Sequence, residues 1–369
     1  MKIDLFQLER NQSLYENEVE YNLTESGVHS CTVRELLDQD DIKQLLDKSL
    51  GYGHTEGSPR LREAVSKWYT GASRDNVLIT HGASEANLVA MLSILSAGDE
   101  LIFVLPNFMQ VWGIARAMGV VVKTVSLREE SGWQLDLEEV KSLVTARTKA
   151  IAFSNPNNPT GQVFSQETMA GLVAIAQSAG LYLFSDEIYR GAELSGKETL
   201  TFYGMYEKVI VVSSTAKSLA QPGLRIGWLV GPVSIIQEAM QRQDYTTIGT
   251  SVLSQCVAEK ILQPAIRQKL LERSHSILRQ NLATIDQWIK HYPLMSYQRP
   301  QAGGMVFINY GLEMTSSELS EQLRKEQSVF VVAGEWFGLD RYIRIGIGSP
   351  PGYLDAALQR FDKFLAPAL

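Results

Sequence analysis

A serine and a lysine three residues apart follow a buried-looking apolar run. The run "KVIVVS" at 208–213 leads into Ser214 and Lys217, an S-x-x-K pattern. Such a pair suits a serine nucleophile with a lysine base, or a lysine nucleophile with a helper serine. The serine mechanism also requires S-D-N and K-T-G elements. The chain has "SDE" at 185–187 and no K-T-G, so the pattern favours lysine as the covalent residue.

Three other polar groups stand where predicted strands end. The loop "SNPNNPTGQVF" at 154–164 combines asparagines with two prolines, which is costly unless a ligand is held there. Asp186 follows largely apolar residues, where a carboxylate needs a positive partner or a helix to cap. The glycine turn at 80–87 would point the amides of Ala83 and Ser84 at an anion, although such turns are common.

The elements that must position these groups alternate from about residue 76. Apolar strands are followed by amphipathic helices, one of them capped by Asp136. Strands that are apolar on both faces predict a mostly parallel sheet covered on both sides, a three-layer α/β/α architecture. The predicted strands lie at 76–84, 99–106, 120–127, 148–156, 181–187 and 207–214.

The pattern changes after about residue 250. A long helical segment broken near Pro264 leads to short strands and further helices, which indicates a second, smaller α+β domain. We expect a large domain at 45–255, and a small domain formed by 1–44 together with 256–369. The first forty residues are polar and turn-rich, and we expect them to pack with the small domain. The predicted strands of this part lie at 303–311, 328–334 and 342–348, and the helices near 316–327 and 352–364.

The four chemical features occur together in one predicted α/β domain. The elements "NPNNPTG", "DEIY" and S-x-x-K followed by "GLRIGW" have an order and spacing that resemble the class I/II aminotransferases, which are aspartate aminotransferase-like enzymes. The resemblance covers about residues 50 to 350. It implies the fold type I architecture of pyridoxal 5'-phosphate (PLP) transferases, with PLP as the cofactor.

The resemblance assigns catalytic roles to residues around the S-x-x-K pattern. Lys217 matches the lysine that holds PLP as a Schiff base and then moves a proton at the substrate Cα. Asp186 matches the partner of the pyridinium nitrogen, which would supply the positive group its position calls for. Asn158 and Tyr189 match the residues that hydrogen-bond the O3' atom of the cofactor. The predicted catalytic residues are Lys217, Asp186 and Tyr189.

Further matches would hold the phosphate and the ring of the cofactor. Ser214 and Arg225 match phosphate ligands, and a guanidinium suits a phosphate dianion. The amides of Ala83 and Ser84 would add donors at the helix N-terminus. Phe108 stands where the family has an aromatic ring stacked on the cofactor, although core packing is the commoner role of a phenylalanine.

Two matches concern the substrate and the oligomer. Arg344 in "YIRIGIG" matches the arginine that grips the substrate α-carboxylate. Tyr52 matches a tyrosine that reaches the phosphate of the neighbouring subunit, so the resemblance implies a homodimer with shared active sites. The alternative for "GYGHTEG", a dinucleotide loop, fails because its spacing is G-x-G-x-x-x-G and a helix rather than a strand precedes it.

The segment that selects the substrate departs from the family pattern. The stretch "YNLTESGVHS" at 21–30 aligns loosely, and Gly27 is its predicted substrate contact. Glu25 could meet a basic or hydroxylated side chain, or be a solvated loop carboxylate. Asn158 and Trp112 are also predicted substrate contacts. Phe108, Trp112 and Tyr52 suggest a roomy, aromatic pocket that fits neutral or aromatic amino acids. No second arginine is identified for a dicarboxylate substrate.

Composition excludes several other classes of function. The net charge is −7 and no basic stripe is present, so we expect no nucleic-acid partner. No apolar stretch approaches ~20 residues and no signal peptide is evident, so we expect a cytoplasmic protein without a membrane span. Cys31 and Cys256 are expected to be free thiols. No metal site is predicted, because the histidines show no ligand spacing.

The sequence thus predicts an enzyme that transfers an amino group from an L-amino acid to a 2-oxo acid by a ping-pong mechanism. A PLP-dependent lyase catalysing β- or γ-elimination, or an amino-acid cyclase, stays open because one scaffold supports many reactions. A non-catalytic PLP-binding regulator is the third hypothesis. It is disfavoured because no helix-turn-helix is recognised before residue 50 and the charge does not suit DNA.

Overall fold

The computed structural model describes residues 2–366, so the outermost ends of the predicted small domain lie outside the described residues. The helices are α1 (Gln7–Tyr15), α2 (Val33–Leu36), α3 (Gln39–Leu46), α4 (Pro59–Ser66), α5 (Gly82–Ile94), α6 (Gln110–Ala117), α7 (Leu137–Leu143), α8 (Gln166–Ala179), α9 (Val233–Gln243), α10 (Val252–Ile261), α11 (Pro264–Trp288), α12 (Ser316–Gln327) and α13 (Tyr353–Leu365). The strands are β1 (Tyr21–Asn22), β2 (Val77–His81), β3 (Glu100–Leu105), β4 (Val121–Ser126), β5 (Thr148–Ser154), β6 (Tyr182–Asp186), β7 (Val209–Ser214), β8 (Ile226–Val230), β9 (Met305–Asn309), β10 (Val329–Phe330), β11 (Val332–Ala333) and β12 (Tyr342–Gly346).

A seven-stranded sheet forms the centre of the molecule. Its order is β2-β8-β7-β6-β5-β3-β4, and every neighbouring pair is parallel except the two pairs that involve β8. Successive residues of β3 enter different hydrophobic clusters: Leu101 and Phe103 lie in one, Ile102 and Val104 in the other. Because strand side chains alternate between faces, the sheet is buried on both sides, and the predicted α/β fold is confirmed.

Local sequence signals set the ends of the helices around this sheet. The Asp136 side chain accepts hydrogen bonds from two backbone amides at the start of α7, as predicted. Ser165 caps α8, and Gly180 ends it with φ of 68°, a left-handed conformation that glycine adopts without strain. Pro264 is the first residue of α11, which explains the predicted break in the long helical segment.

A smaller antiparallel sheet follows in the last third of the chain. Its order is β11-β12-β9, and β12 carries Arg344. The two-residue strands β1 and β10 pair in parallel beside it, and Leu23 lies in the same hydrophobic cluster as residues of β9 and β12. The N-terminal segment therefore packs against this smaller sheet. The domain boundaries at 45 and 255 stay a prediction.

The N-terminal segment differs from the polar, turn-rich chain that the sequence indicates. It contains the nine-residue helix α1, whose N-cap position is Phe6 and makes no side-chain cap hydrogen bond. A helix without a polar cap lacks the usual start signal, and Leu8 is one of only two buried residues in α1. Within residues 2–366, none of the helices has the length and apolar character needed to cross a bilayer.

Candidate active site

A cavity of about 330 Å³ opens where three neighbouring strands of the large sheet end. Ser154, Asp186 and Ser214 line it, and these are the last residues of β5, β6 and β7. The carboxyl edge of a parallel sheet is where ligands of such folds bind. The predicted site residues that line the cavity are Glu25, Ala83, Ser84, Phe108, Asn158, Asp186, Tyr189, Ser214, Lys217, Arg225 and Arg344.

Lys217 lies in the loop after β7, and its amine faces a carboxylate. Its Nζ is 3.6 Å from Oε2 of Glu25. Burial lowers the pKa of the Lys217 ammonium, but Glu25, Tyr189 and Glu9 outweigh burial and hold that pKa above its ordinary value. The amine is therefore charged until a ligand displaces this carboxylate or reacts with the amine.

Asp186 is a carboxylate at the end of β6 without a close cation. Its Oδ1 accepts a hydrogen bond from the amide of Ile188 at 3.0 Å, and it makes no salt bridge among residues 2–366. Burial raises its pKa to about 6, against the opposing effects of the Ile188 amide and Lys217. A cationic ring nitrogen beside this carboxylate would favour its ionised form.

Asn158 is held by a buried hydrogen-bonded loop. Asn157 donates to Ser154 Oγ and to the Pro106 carbonyl, both at 3.2 Å, and Thr160 donates to Asn157 Oδ1 at 2.8 Å. The asparagines that the sequence singled out therefore divide into a structural one, which fixes the loop, and Asn158, which faces the cavity.

Arg344 is a buried cation that has neutral partners only. Its side chain is 2% exposed and donates to Asn158 Oδ1 at 2.9 Å and to the Thr24 carbonyl at 2.5 Å, while Nε has no partner. Burial lowers its pKa from the ordinary value. A buried guanidinium without a carboxylate is unfavourable alone, so this position suits an anionic ligand.

The turn before α5 forms an anion cradle with Arg225. Helix α5 begins at Gly82, so the amides of Ala83 and Ser84 lie in its first turn. The Arg225 guanidinium packs against Gly82, whose φ of 75° is a left-handed conformation that favours glycine. Arg225 itself has φ of 52°, a left-handed conformation that is costly for a non-glycine residue and typical of functional sites.

The segment 24–27, called the strap below, crosses the cavity beside Lys217. The Tyr189 hydroxyl donates to Ser26 Oγ at 2.7 Å. A Cβ on Gly27 would lie 3.3 Å from Cδ of Lys217, so the structure brings Gly27 against the lysine. The strap thereby connects the predicted O3' ligand to the segment expected to select the substrate.

Three predicted residues are not part of the cavity lining: Gly27, which lies against Lys217, and Trp112 and Tyr52, which line other grooves. Trp112 is the third residue of α6 and lines a separate groove with residues 3–7, where its ring lies 4.3 Å from the guanidinium carbon of Arg116. Phe108, which precedes α6, lines the cavity and Trp112 does not, so the structure does not bring Trp112 to the predicted substrate site. Tyr52 is 96% exposed and lines a different groove with residues 247–253.

Helix α1 supplies cavity residues that the sequence analysis missed. Glu9, Gln12, Ser13 and, directly after the helix, Glu16 all line the cavity. Their spacing of i, i+3, i+4 and i+7 is the spacing of one helical face, which is the signal that could have found them. Gln12 also donates to Thr24 Oγ1 at 2.8 Å, so α1 and the strap are joined.

The donors and acceptors of the cavity suit PLP, the cofactor that the resemblance implies. Asp186 lacks a cation, as a carboxylate would if its partner were a protonated ring nitrogen. The α5 turn and Arg225 offer amide and guanidinium donors for a phosphate, with Ser214 alongside. Lys217 supplies an amine in the same cavity.

Comparisons with known proteins extend over nearly the whole chain. The family model for aminotransferase class I and II matches residues 17–361. A crystal structure of a PLP-dependent aminotransferase from Streptococcus suis is 34% identical, with a TM-score of 0.94, and covers 100% of this chain and 99% of that one.

Two curated relatives are named for different activities. An aspartate aminotransferase from Pyrococcus horikoshii is 29% identical over 342 residues, which are 88% of this chain and 87% of that protein. A capreomycidine synthase from Streptomyces vinaceus is 27% identical over 360 residues, which are 93% of this chain and 89% of that protein. Each is a protein to which this chain is similar.

Proposed function

Because the chain belongs to the class I and II aminotransferase family, we propose that it is a PLP-dependent aminotransferase. It transfers an amino group from an L-amino acid to a 2-oxo acid in two half-reactions. The observation that carries the proposal is the common cavity of Lys217, Asp186 and Arg344: an amine, a carboxylate without a cation and a buried cation without a carboxylate.

The residues divide into groups that hold the cofactor and one that holds the substrate. Arg225, Ser214 and the amides of the α5 turn would bind the phosphate, and Asp186 would keep a proton on the ring nitrogen. Asn158 and Tyr189 would bind the ring oxygen. Phe108 would lie against the ring, and Arg344 would bind the substrate carboxylate through its guanidinium.

Proton transfer falls to Lys217. When bound, PLP supplies an electron sink that stabilises negative charge at the substrate Cα. The Lys217 amine, which would also hold the cofactor covalently, moves the proton at the substrate Cα. Arg344 fixes the carboxylate of the substrate while Asn158, its hydrogen-bond partner, helps to fix Arg344.

The test is covalent labelling followed by turnover. The protein is incubated with PLP, reduced with borohydride and mapped by mass spectrometry, with the Lys217→Arg variant as the control. We expect the label on Lys217 alone, one equivalent of 2-oxo acid per active site from the amino acid alone, and continued turnover only when an acceptor 2-oxo acid is supplied. A label on another lysine, or none, contradicts the proposal. Labelling without turnover of any amino acid would favour the non-catalytic regulator.

A cyclase or lyase is the second candidate, because a capreomycidine synthase is among the similar proteins. The same cavity could direct the negative charge at Cα into elimination or ring closure instead of transamination. The requirement for an acceptor separates the reactions. Products that form from the amino acid alone over many turnovers, with or without released ammonia, would replace the aminotransferase proposal by this one.

We further propose a homodimer in which Tyr52 reaches the phosphate of the neighbouring subunit. Tyr52 is 96% exposed, and the apolar Leu50, two residues before it, is also exposed and lines the same groove. Such side chains on a shared surface suit an interface. Mass measurement by light scattering tests the dimer. Mixing Tyr52→Phe with Lys217→Ala subunits tests shared sites, because a mixed dimer would regain one intact site.

A further inference from the structure

Three carboxylates line the N-terminal side of the cavity, and the proposed reaction uses none of them. Glu9 lies on α1, Glu16 directly after it, and Glu25 on the strap. Glu25 pairs with Lys217 at 3.6 Å. Among residues 2–366, neither Glu9 nor Glu16 has a lysine, arginine or histidine nitrogen within 4.0 Å.

The three carboxylates affect one another electrostatically. The pKa of Glu16 is raised by burial and then by the negative charges of Glu25 and Glu9. Burial also raises the pKa of Glu9, although Lys217 and Arg344 oppose it. Like charges this close are unfavourable unless a cation enters between them. Carboxylates that only made the protein more soluble would not need to line the same cavity.

An independent observation points to a ligand with hydrogen-bond donors. Asn87 lines the same cavity, is 2% exposed, and its Oδ1 accepts no hydrogen bond. Its amide nitrogen is already used, because it donates to Gln110 Oε1 at 2.9 Å. A buried acceptor without a partner carries a desolvation cost that a donor on a ligand would offset.

The proposed function, on which this inference rests, gives each cationic residue of the cavity a partner. Arg225 would pair with the phosphate and Arg344 with the substrate α-carboxylate. Lys217 would be engaged with the cofactor, so Glu25 would lose its partner. Glu9, Glu16 and Glu25 then lack cations, while the α-carboxylate of the substrate is fixed at Arg344.

We propose that the amino donor is an α-amino acid with a cationic side chain, whose ammonium or guanidinium group binds among Glu9, Glu16 and Glu25. A dicarboxylic amino acid would bring a fourth negative charge to this side of the cavity and is disfavoured. A neutral side chain would leave the carboxylates unpaired.

Matched pairs of amino acids test this proposal in the PLP-saturated enzyme. Arginine and citrulline have the same length and differ in charge, and ornithine and norvaline have equal carbon chains, of which only ornithine's ends in an ammonium group. We expect kcat/KM to favour the cationic member of each pair by about tenfold or more, and aspartate to be poorer than both. The ratio between arginine and ornithine shows whether the site prefers a guanidinium or an ammonium. Equal rates within both pairs, or a preference for aspartate, overturns the proposal.

Glutamine variants show which carboxylates cause the preference for a cationic donor. Glu9→Gln, Glu16→Gln and Glu25→Gln should each reduce the preference for arginine over citrulline about threefold to tenfold, measured as the ratio of the two kcat/KM values. The matched control is Glu18→Gln, which alters an exposed carboxylate of the same segment outside the cavity lining. An unchanged preference in all three cavity variants would overturn the assignment of these residues.

A binding measurement separates this proposal from the proposed function. 5-Guanidinopentanoate and 5-ureidopentanoate lack the amino group and cannot react, but they keep the carboxylate and the charged or neutral end. Calorimetry should show about tenfold tighter binding of the guanidino compound, and loss of this difference in Glu9→Gln. If no amino acid is turned over, the proposed function fails, while this measurement still decides whether the cavity selects a cation.

Discussion

The two sides of the cavity are built differently. On the sheet side, Ser214, Asn158 and Tyr189 are buried, and Ser214 and Asn158 are fixed by a strand end and a hydrogen-bonded loop. On the N-terminal side, the Glu25 side chain is 56% exposed and belongs to the strap. Rigid positioning thus accompanies the chemistry, and adaptable positioning accompanies the choice of substrate.

Arg344 connects the two sides. It donates to Asn158 on the sheet side and to the Thr24 carbonyl of the strap. Gln12 of α1 in turn donates to Thr24. A ligand carboxylate bound by Arg344 would therefore affect both sides. Variants of residues that belong to one side only can separate the two contributions.

Removing the lysine on the sheet side should have the largest effect. Lys217→Ala deletes the group that moves the proton at the substrate Cα, and we expect kcat to fall at least about 10³-fold for every amino acid. Lys197→Ala, at an exposed lysine away from the cavity lining, is the control and should leave kcat unchanged. Steady-state kinetics with several donors is the measurement. A loss of kcat confined to cationic donors would contradict the proton-transfer role of Lys217, because it would indicate a role in the choice of substrate instead.

Arg344→Lys tests the connection between the sides and should have the next largest effect. A lysine keeps the charge but loses the planar donor pair that contacts Asn158 Oδ1 and the Thr24 carbonyl. We expect kcat/KM to fall about 10²-fold, mainly through KM, for cationic and neutral donors alike. Retained cofactor binding, followed by absorbance, distinguishes this result from unfolding. A change in the arginine-to-citrulline preference alone would contradict the role assigned to Arg344.

Asp186→Asn tests how much the Asp186 carboxylate lowers the free energy of unfolding of the cofactor-free protein. Burial raises the pKa of Asp186 from 3.8 to about 6, so the folded state binds more protons than the unfolded state between these values. This carboxyl group therefore makes the folded protein less stable as the pH rises through that window, and the full penalty remains above pH 6. Asparagine removes the penalty and can keep the hydrogen bond from the Ile188 amide.

The expected outcome is a pH-dependent gain in stability. At pH 7.5 the cofactor-free asparagine variant should be more stable by about 2 kcal/mol, and at pH 4 the difference should largely vanish. Urea unfolding at both pH values measures it. A variant that is less stable at pH 7.5 would show that Asp186 already has a cationic partner in the protein, and an equal shift at both pH values would show that the ionisation of Asp186 does not cause the difference.

The sequence predicted the sheet side well because local patterns carry it. Strand ends, the asparagine loop and the α5 turn are each encoded in a few neighbouring residues, so Asn158, Asp186 and Lys217 could be found without knowing long-range packing. The position of β8 in the sheet could not be predicted, because its antiparallel insertion between β2 and β7 depends on contacts between residues that are distant in sequence.

The N-terminal side was harder to predict for physical reasons. Helix α1 has no polar cap, and its cavity face is acidic, so no apolar stripe marks it as a helix that packs on the molecule. Whether Glu25 is a solvated loop residue or a cavity residue depends on its approach to Lys217, a contact between residues nearly two hundred positions apart. Trp112 lies outside the cavity lining, in a separate groove with residues 3–7, which a local sequence pattern does not indicate.

Gly346→Ala should have the smallest effect on catalysis and should act mainly on the N-terminal side. A Cβ at this position would lie 2.0 Å from the Glu25 carbonyl oxygen and 3.0 Å from that of Leu23, and backbone atoms cannot move aside without displacing the strap. We expect KM for cationic donors to rise roughly tenfold or less, with kcat nearly unchanged, because Glu25 moves while Lys217 keeps its position.

The control for this variant is Gly113→Ala, a helical glycine of α6 with no neighbour within 4 Å of the added methyl group. It should leave KM unchanged and slightly stabilise the protein. If Gly346→Ala lowers kcat as much as it raises KM, the strap positions the reacting atoms as well as the substrate side chain. The division between a fixed catalytic side and an adaptable selective side would then fail at Ser26, whose Oγ accepts the Tyr189 hydroxyl.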